Sequence, residues 1–266
     1  MYDLRIRPFV RRMEPERASE VALGYYKVIG HIPGGRQINR LIHRNRSYGT
    51  GCEVFGLNFY NPLGLGAGLD RKGELFGDLE DLGFSFVEIG PLDLESTRKA
   101  IVNIQTRPHE DILAACLKED IVTSFSLIYD FCDFFVIDLS DGFDEKTLDQ
   151  VIDVRLTYDE YKPVVLKVSE NISDDELKTA LEYCMLCGID GIQVRKVENV
   201  AFASACTGGR LPIIANCHVK TPEMALLLLK DGASLVEVRS GVVSEGTALV
   251  RRILKYLEKN LNNAKS

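Results

Sequence analysis

Short apolar segments recur along the chain, and stretches with helical spacing separate them. Most of the segments are continuous and rich in Val and Ile, which is typical of parallel strands buried on both faces. They predict eight strands, at residues 60–67, 84–90, 100–105, 133–140, 163–168, 190–195, 211–216 and 234–240. The stretches between them predict helices at residues 72–82, 109–131, 145–158, 173–187, 197–205, 221–231 and 245–262.

Two of the predicted helices begin with capping residues. Ser173 is followed three positions later by Glu176, which is the pattern of a capping box, and Thr221 is followed by Pro222 at the first helical position. The alternation of eight strands with helices predicts an α/β protein with a (β/α)8 TIM barrel. A doubly wound parallel sheet is the alternative.

The predicted connection between the second and third strands is short. Only the nine residues PLDLESTRK separate them, whereas a crossover that contains a helix needs roughly 10 to 12 residues or more. The sequence therefore predicts a barrel shortened between strands 2 and 3, with either a single-turn helix or an open side there. Residues 51–60 predict a hairpin that closes the bottom of the barrel.

Residues 1–48 are predicted to form a basic helical extension before a barrel at residues 49–266. Two amphipathic helices are expected in it, near residues 14–29 and 35–44. The first 50 residues hold ten Arg and Lys against four acids, although the whole chain has a net charge of −7. This asymmetry indicates either contact with an anionic surface such as a membrane face, or an arginine-rich helix face in solvent. Nucleic acid is not expected as a partner, because aromatic residues do not interleave the basic ones.

The composition is that of a soluble globular protein, with 45% hydrophobic and 27% charged residues. The chain has no apolar stretch long enough for a membrane span or a signal peptide, which predicts a cytoplasmic protein. Its seven cysteines show no paired spacing pattern and fit a reducing compartment. Cys184 and Cys187 form a single C-x-x-C on a predicted helix, where core packing is expected and no metal site.

Candidate chemistry lies at the carboxyl ends of the predicted strands, which build the catalytic face of such a barrel. The segment FFVIDLSDGF, at residues 134–143, ends in Asp138, Ser140 and Asp141. The other strand ends are rich in cations, among them Arg71, Arg107, Lys167, Arg195, Lys196 and Arg239. A cationic rim predicts an anionic or phosphorylated ligand.

Seven segments carry a family resemblance: NPLGLGAGLDRKGE, LGFSFVEIG, PVVLKV, GIDGI, GRLPII, GASLVEVRSG and the N-terminal RPFVRRMEPERASE. Together they resemble the membrane-associated, quinone-using (class 2) dihydroorotate dehydrogenases, in order and over nearly the whole chain. The resemblance implies FMN-dependent oxidation of dihydroorotate in pyrimidine biosynthesis, with quinone as the electron acceptor. It also implies that residues 1–45 contact the membrane surface, at its inner face.

The resemblance also implies roles for individual residues. Cofactor contacts are expected from Ala67, Gly68, Lys167, Arg239, Ser240 and Gly241, with Arg239 in place of a tyrosine. Substrate contacts are expected from Arg71, Asp138 and Lys196, which replace a lysine and two asparagines. Asp141 falls where the family has its serine base, so Asp141, Ser140 and Lys167 are the expected catalytic groups. Two structural alternatives stand beside these roles: Asp141 with Gly142 begins a helix, and Lys167 pairs with Asp138 or Asp141.

The chain departs from the family at several of these places. Pro91 replaces a flavin-contacting threonine, and the segment that clasps orotate has no counterpart near residues 91–100. The glycine-rich stretch that cradles the FMN phosphate is replaced by Ala215, Asn216, Cys217 and His218. Each lost polar contact in a buried site costs about 1 to 3 kcal/mol. We therefore expect dihydroorotate oxidation to be weak or lost.

Three functions remain open from the sequence. The first is a flavoenzyme of the dihydroorotate dehydrogenase type. The second is a barrel without flavin that binds another anionic or phosphorylated ligand. The third is a catalytically silent protein that acts by association, with the basic extension as its interaction surface.

Overall fold

The computed structural model describes residues 50–79, 82–107, 109–246 and 248–262, together with Met13, Arg17, Val21 and Gly24. Nearly all of the predicted extension at residues 1–48, including its two helices, lies outside the described residues. The division of the chain between residues 48 and 49 therefore stays a prediction.

Eight parallel strands form a closed barrel, in which each strand pairs with the next and the last pairs with the first. The strands are β3 (Leu63–Leu65), β4 (Phe86–Leu92), β5 (Ile112–Leu117), β6 (Phe134–Asp138), β7 (Val164–Lys167), β8 (Gly191–Val194), β9 (Ile213–Ala215) and β10 (Leu235–Glu237). An antiparallel hairpin, β1 (Cys52–Val54) and β2 (Leu57–Phe59), precedes them. The predicted (β/α)8 barrel is confirmed, and the predicted open side is wrong.

Helices connect the strands on the outside of the barrel. They are α1 (Phe76–Leu79), α2 (Leu94–Thr106), α3 (Ile121–Ile128), α4 (Glu145–Arg155), α5 (Asp174–Cys187), α6 (Val197–Thr207), α7 (Pro222–Lys230), α8 (Ser240–Glu245) and α9 (Ala248–Asn262). The capping box of Ser173 and Glu176 begins α5, and the Thr221 hydroxyl accepts a hydrogen bond from the Met224 amide at 3.2 Å, as predicted. Among the helices described, none has the length and hydrophobicity to cross a membrane.

The third strand of the barrel lies where the sequence predicted a helix. Residues 100–105, predicted as a strand, belong to α2. The predicted helix 109–131 contains β5 in its first part and α3 in its second. Ala100 and Ile104 are buried at helical spacing while Val102 is 58% exposed, so the apolar run in α2 is one helix face. The crossover from β4 to β5 therefore carries a 13-residue helix. The predicted gap of nine residues between the second and third strands is wrong, because residues 100–105 are not a strand.

Apolar side chains form two separate cores. The larger lies between the strands and the helices. Of the two cysteines in the C-x-x-C, Cys184 is in this core, whereas Cys187 is half-buried. The smaller lies among the hairpin and one face of the strands. There the Phe59 ring of the hairpin lies 5.5 Å from the Phe86 ring, centroid to centroid. A Cβ added at Gly64 would lie 2.0 Å from the Phe86 ring, so glycine leaves room for that ring. The predicted hairpin at the bottom of the barrel is confirmed.

Candidate active site

A layer of polar side chains lies inside the barrel, above the smaller apolar core and toward the carboxyl ends of the strands. Alternate residues of a strand face the same side, so each member lies two positions after a residue of the layer below. Glu88 follows Phe86, and Glu237 follows Leu235 in this way. The buried members are Glu88, Cys116, Asp138, Lys167, Gln193, Asn216 and Glu237.

Lys167 and Asp138 form a buried ion pair in this layer. They are opposite each other on β7 and β6, and Lys167 Nζ lies 2.8 Å from Asp138 Oδ2. Burial opposes the charged form of Lys167, but the neighbouring carboxyl groups of Glu88 and Asp138 outweigh burial and raise its pKa. Burial likewise opposes the charged form of Asp138, but Lys167 and Ser140 outweigh it and lower the pKa. Both groups are therefore charged at neutral pH. Of the two partners predicted for Lys167, Asp138 and Asp141, the structure confirms Asp138.

Cys116 completes this group of three as a neutral thiol. Its Sγ lies 3.7 Å from Lys167 Nζ and 3.8 Å from Asp138 Oδ2. Burial raises the pKa of the Cys116 thiol well above its ordinary value, and the charge of Lys167 only partly opposes that shift. The lysine therefore has an acidic partner and a sulfur contact, and it is not a free cation at the base of the site.

Two carboxyl groups, Glu88 and Glu237, which we call the lumen acids, approach the amide of Gln193 from different strands. Gln193 Nε2 donates to Glu88 Oε2 at 2.8 Å and lies 3.1 Å from each carboxyl oxygen of Glu237. Burial raises the pKa of Glu237 well above its ordinary value, the neighbouring Glu88 raises it further, and Lys167 and Arg239 oppose these effects. Two carboxylates at close range in a buried site do not both ionise. Burial beside Glu88 therefore favours the neutral form of Glu237.

The backbone of the first strand end is covered by side chains from β10 and the residues after it. A Cβ added at Gly66 would lie 2.6 Å from Glu237 Oε2. Gly68 has a φ of +105°, and an added Cβ would lie 2.7 Å from Arg239 Nη1. The Arg239 guanidinium also donates to the Ala67 carbonyl at 3.3 Å. The space beside these two glycines is therefore occupied by a carboxyl group and a guanidinium.

Charged side chains surround the mouth of the barrel at the ends of β7, β8 and β9. Arg195 Nη2 lies 3.2 Å from Glu170 Oε2, and His218 Nε2 lies 4.0 Å from the same oxygen. His218 has a φ of 54°, a left-handed conformation that is uncommon outside glycine. Burial lowers the pKa of His218, and the charge of Arg195 lowers it further. The imidazole is therefore neutral at neutral pH.

The structure separates Asp141 from the lumen. Its side chain is 80% exposed and pairs with Lys118, whose Nζ lies 3.0 Å away. Ser140, which precedes it, donates its backbone amide to Asp138 Oδ1 at 3.1 Å. The N-cap of α4 is Asp144, which accepts from the Lys146 amide at 3.1 Å. The interpretation of Asp141 as the start of that helix is therefore wrong.

The remaining predicted site residues lie around the mouth. Arg71 is exposed, and Lys196 is half-buried as the N-cap residue of α6. Ser240 begins α8, and its Oγ is buried with no hydrogen-bond partner among the described residues. A Cβ added at Gly241 would lie 2.2 Å from the Val219 carbonyl oxygen, so the backbone approaches closely there. The structure thus brings Asp138 and Lys167 together within the lumen and places Arg71 at the surface.

Sequence reasoning missed the lumen acids, Gln193 and Cys116. Each is a polar or ionisable residue within an otherwise apolar strand, at the alternate positions that share one face. That spacing of two was the available signal. A continuous apolar run hides that signal, because it does not show which face of the strand lies toward the lumen.

The comparisons with known proteins agree with this architecture. No family model matches the chain. The dihydroorotate dehydrogenase (quinone) of Christiangramia forsetii is 24% identical over 340 aligned positions, which cover 98% of this chain and 100% of the relative. The dihydroorotate dehydrogenase (quinone) of Klebsiella pneumoniae is 22% identical and covers 94% of this chain and 99% of its own length. Since the first alignment is longer than this chain of 266 residues, segments of the relative have no counterpart here.

Solved structures show the same fold. Ligand-free dihydroorotate dehydrogenase from Eimeria tenella superposes with a TM-score of 0.78 at 18% identity, covering 94% of this chain and 96% of that one. A mandelate oxidase variant with an FMN adduct superposes with a TM-score of 0.58 at 15% identity, covering 81% of this chain and 77% of that one. The fold is a TIM barrel of the kind found in these proteins.

The family resemblance in the sequence is thereby confirmed. The chain is a divergent relative of the quinone-dependent dihydroorotate dehydrogenases, similar to them over nearly its whole length.

Proposed function

We propose that this chain is a dihydroorotate-dehydrogenase-like barrel in which the FMN-dependent oxidation of dihydroorotate is weak or lost. The observation that carries the proposal is the position of Glu237 and Arg239 against Gly66 and Gly68. By family resemblance, the loop around Gly68 is a flavin contact. A flavin ring needs open backbone there, and a guanidinium lies in that space.

The lumen supports the same conclusion through its charges. A cofactor or substrate group that uses Lys167 must compete with Asp138, whose Oδ2 lies 2.8 Å away. Removing one partner of a buried ion pair costs about 3 to 5 kcal/mol. Asp141, the expected base, is exposed and paired with Lys118. The residues present therefore do not fit the family's cofactor and substrate, and no catalytic step is assigned to them.

The relatives and the basic N-terminal sequence support a proposal for the cellular setting. We place the protein in the cytoplasm, at the inner face of the membrane, with residues 1–45 as the contact. Quinone, the acceptor named for the relatives, is the partner expected if electron transfer persists. Nucleic acid is not expected as a partner.

Titration of the purified full chain with FMN, followed by quenching of flavin fluorescence, tests the proposal. We expect no saturable binding by the natural chain. The Arg239→Ala variant removes the guanidinium from Gly68, and it should gain measurable FMN affinity if that side chain is the obstacle. Lys196→Ala, which removes a cation from the same face, is the matched control and should gain none.

Tight FMN binding by the natural chain, together with dihydroorotate-dependent reduction of a dye, would overturn the proposal. Thermal unfolding of each variant shows whether it is folded, so a loss of binding cannot be confused with a loss of structure.

A further inference from the structure

We infer that a cavity at the amino ends of the strands binds a small monocarboxylate with an apolar body. The cavity has a volume of about 330 Å³, and ligand sites in proteins begin at roughly 300 Å³. Three helix-to-strand connections line it, from α4 to β7, from α5 to β8 and from α6 to β9. We call it the basal cavity. It lies at the end of the barrel opposite the candidate active site, so the inference does not depend on the proposed function.

A buried ion pair forms one wall of the basal cavity. Arg155 Nη1 lies 2.8 Å from Asp190 Oδ2, and Arg155 Nη2 donates to the Gly188 carbonyl at 2.7 Å. Asp190 Oδ2 also accepts from the Val164 amide at 2.8 Å, and Asp190 Oδ1 accepts from the Tyr161 hydroxyl. Both carboxyl oxygens therefore have donors already, and the two opposite charges of this wall balance each other.

Arg210 supplies the charge that this ion pair leaves unbalanced. Its Nε donates to the Thr207 carbonyl at 3.0 Å, and its Nη2 lies 3.9 Å from Met185 Sδ, which is a weak acceptor. Among the described residues, the two terminal nitrogens of Arg210 have no oxygen partner. Such a guanidinium fork matches the two oxygens of a carboxylate. Arg210 therefore predicts a carboxylate as the charged part of the ligand.

Apolar side chains line the rest of the basal cavity, namely Cys184, Met185, Ile189, Leu211 and Pro212. Met185 is exposed, whereas Ile189 and Leu211 are buried, so the apolar surface extends from the rim inward. The Tyr161 ring is also exposed, and Arg155 Cζ lies 4.7 Å from its centroid. A lining of apolar groups with a few fixed polar groups is typical of small-molecule sites. It predicts an apolar body attached to the carboxylate.

The charge and the size of the basal cavity restrict the ligand further. Arg210 contributes one unbalanced positive charge, which matches a single negative charge. A second negative charge would approach the Asp190 carboxylate with no further cation to balance it. The volume is at the lower end of the range for ligand sites. A single aromatic or branched aliphatic group is therefore the body that we expect.

Calorimetric titration of the full chain with benzoate, in a buffer of low ionic strength, tests the inference. Saturable binding of benzoate is expected. Benzamide has the same ring without the charge, and acetate has the charge without the ring. Each should bind about tenfold more weakly or less tightly still, because each lacks one of the two interactions. Equal binding of benzamide or of acetate would overturn the assigned class of ligand.

Variants of the lining locate the site. Arg210→Gln removes the fork and should weaken benzoate binding about tenfold or more, as expected for the loss of a charge-assisted hydrogen bond. Arg210→Lys keeps the charge without the fork and should have an intermediate affinity. Arg251→Gln is the matched control, because Arg251 is an exposed arginine in α9, and α9 contributes none of the lining residues. It should leave the affinity unchanged.

Absence of saturable benzoate binding by the folded natural chain would overturn the inference. Equal affinities of Arg210→Gln and Arg251→Gln would also overturn it, because benzoate would then bind outside the basal cavity. Thermal unfolding of each variant shows whether the fold is retained, and the exposed position of Arg210 leads us to expect that it is. The flavin content of the chain does not enter this comparison, so a failure here is distinguishable from a failure of the proposed function.

Discussion

Lys167 Nζ lies 2.8 Å from Asp138 Oδ2, and both side chains are buried where neighbouring strands of the barrel end. This contact explains two features of the candidate site together. It stabilises the charged form of Lys167 in the lumen. It also means that this lysine, which the family resemblance assigns to the flavin, is already paired with Asp138.

Asp138→Asn should destabilise the protein by about 3 to 5 kcal/mol, because it leaves the Lys167 ammonium buried without its charged partner. Urea unfolding at neutral pH measures the change. The double variant Asp138→Leu, Lys167→Met removes both charges. Its loss of unfolding free energy should be smaller than the sum of the losses in the single variants Asp138→Leu and Lys167→Met. Additive losses would show that the ion pair contributes no coupling.

The same pair gives the stability a pH dependence of defined sign. The folded-state pKa of Asp138 is lowered, so its contribution is present above the ordinary pKa of an aspartate. That contribution is lost as the pH falls through the lowered folded value. Unfolding free energies measured from neutral to acid pH should fall more steeply for the natural chain than for Asp138→Asn. Parallel pH profiles would contradict this assignment.

Glu237 should act in the opposite direction. Its folded-state pKa is raised by burial and by Glu88, so its contribution is complete below the ordinary pKa of a glutamate and is lost as the pH rises toward the folded value. Relative to Glu237→Gln, the natural chain should lose up to about 1.4 kcal/mol of stability per pH unit in that range. Denaturant unfolding of both proteins between about pH 5 and pH 8 makes the comparison. A constant difference across that range would show that Glu237 is ionised in the fold.

Asp141→Asn should change the free energy of unfolding by less than about 1 kcal/mol, because an exposed ion pair contributes little. Any dihydroorotate-dependent dye reduction should also be unchanged, since the carboxylate is 80% exposed and pairs with Lys118 outside the lumen. Lys118→Gln, which breaks the same ion pair from the other side, is the control. A loss of turnover in Asp141→Asn alone would restore Asp141 as the base.

The seven cysteines should differ in how fast their thiols react, because they differ in burial. Cys206 is exposed, whereas Cys116, Cys132 and Cys217 are buried. Burial raises the pKa of Cys217 to about 12, and burial also raises the pKa of Cys116. A disulfide reagent should therefore modify Cys206 in the native protein and the buried thiols only after unfolding. Cys206→Ser should remove a rapid phase of the reaction, and rapid modification of Cys116 would show that the lumen is open.

The barrel could be predicted from sequence because most strands are continuous apolar runs between well-capped helices. The third strand could not, because ILAACL, at residues 112–117, has few β-branched residues and resembles a buried helix, while the apolar face of α2 resembles a strand. Among site residues, the pairing of Lys167 with Asp138 was foreseen from adjacent strand ends. The covering of Gly68 by Arg239 was not, because the contact joins residues 171 positions apart and depends on closure of the barrel.

The most direct test of the account is the flavin content of the full chain purified from cells supplied with riboflavin. Guanidinium and carboxyl groups lie against Gly68 and Gly66, so we expect a colourless protein from which heat denaturation releases no FMN. Addition of dihydroorotate should then change no absorbance. One flavin per chain, bleached when dihydroorotate is added, would contradict the account.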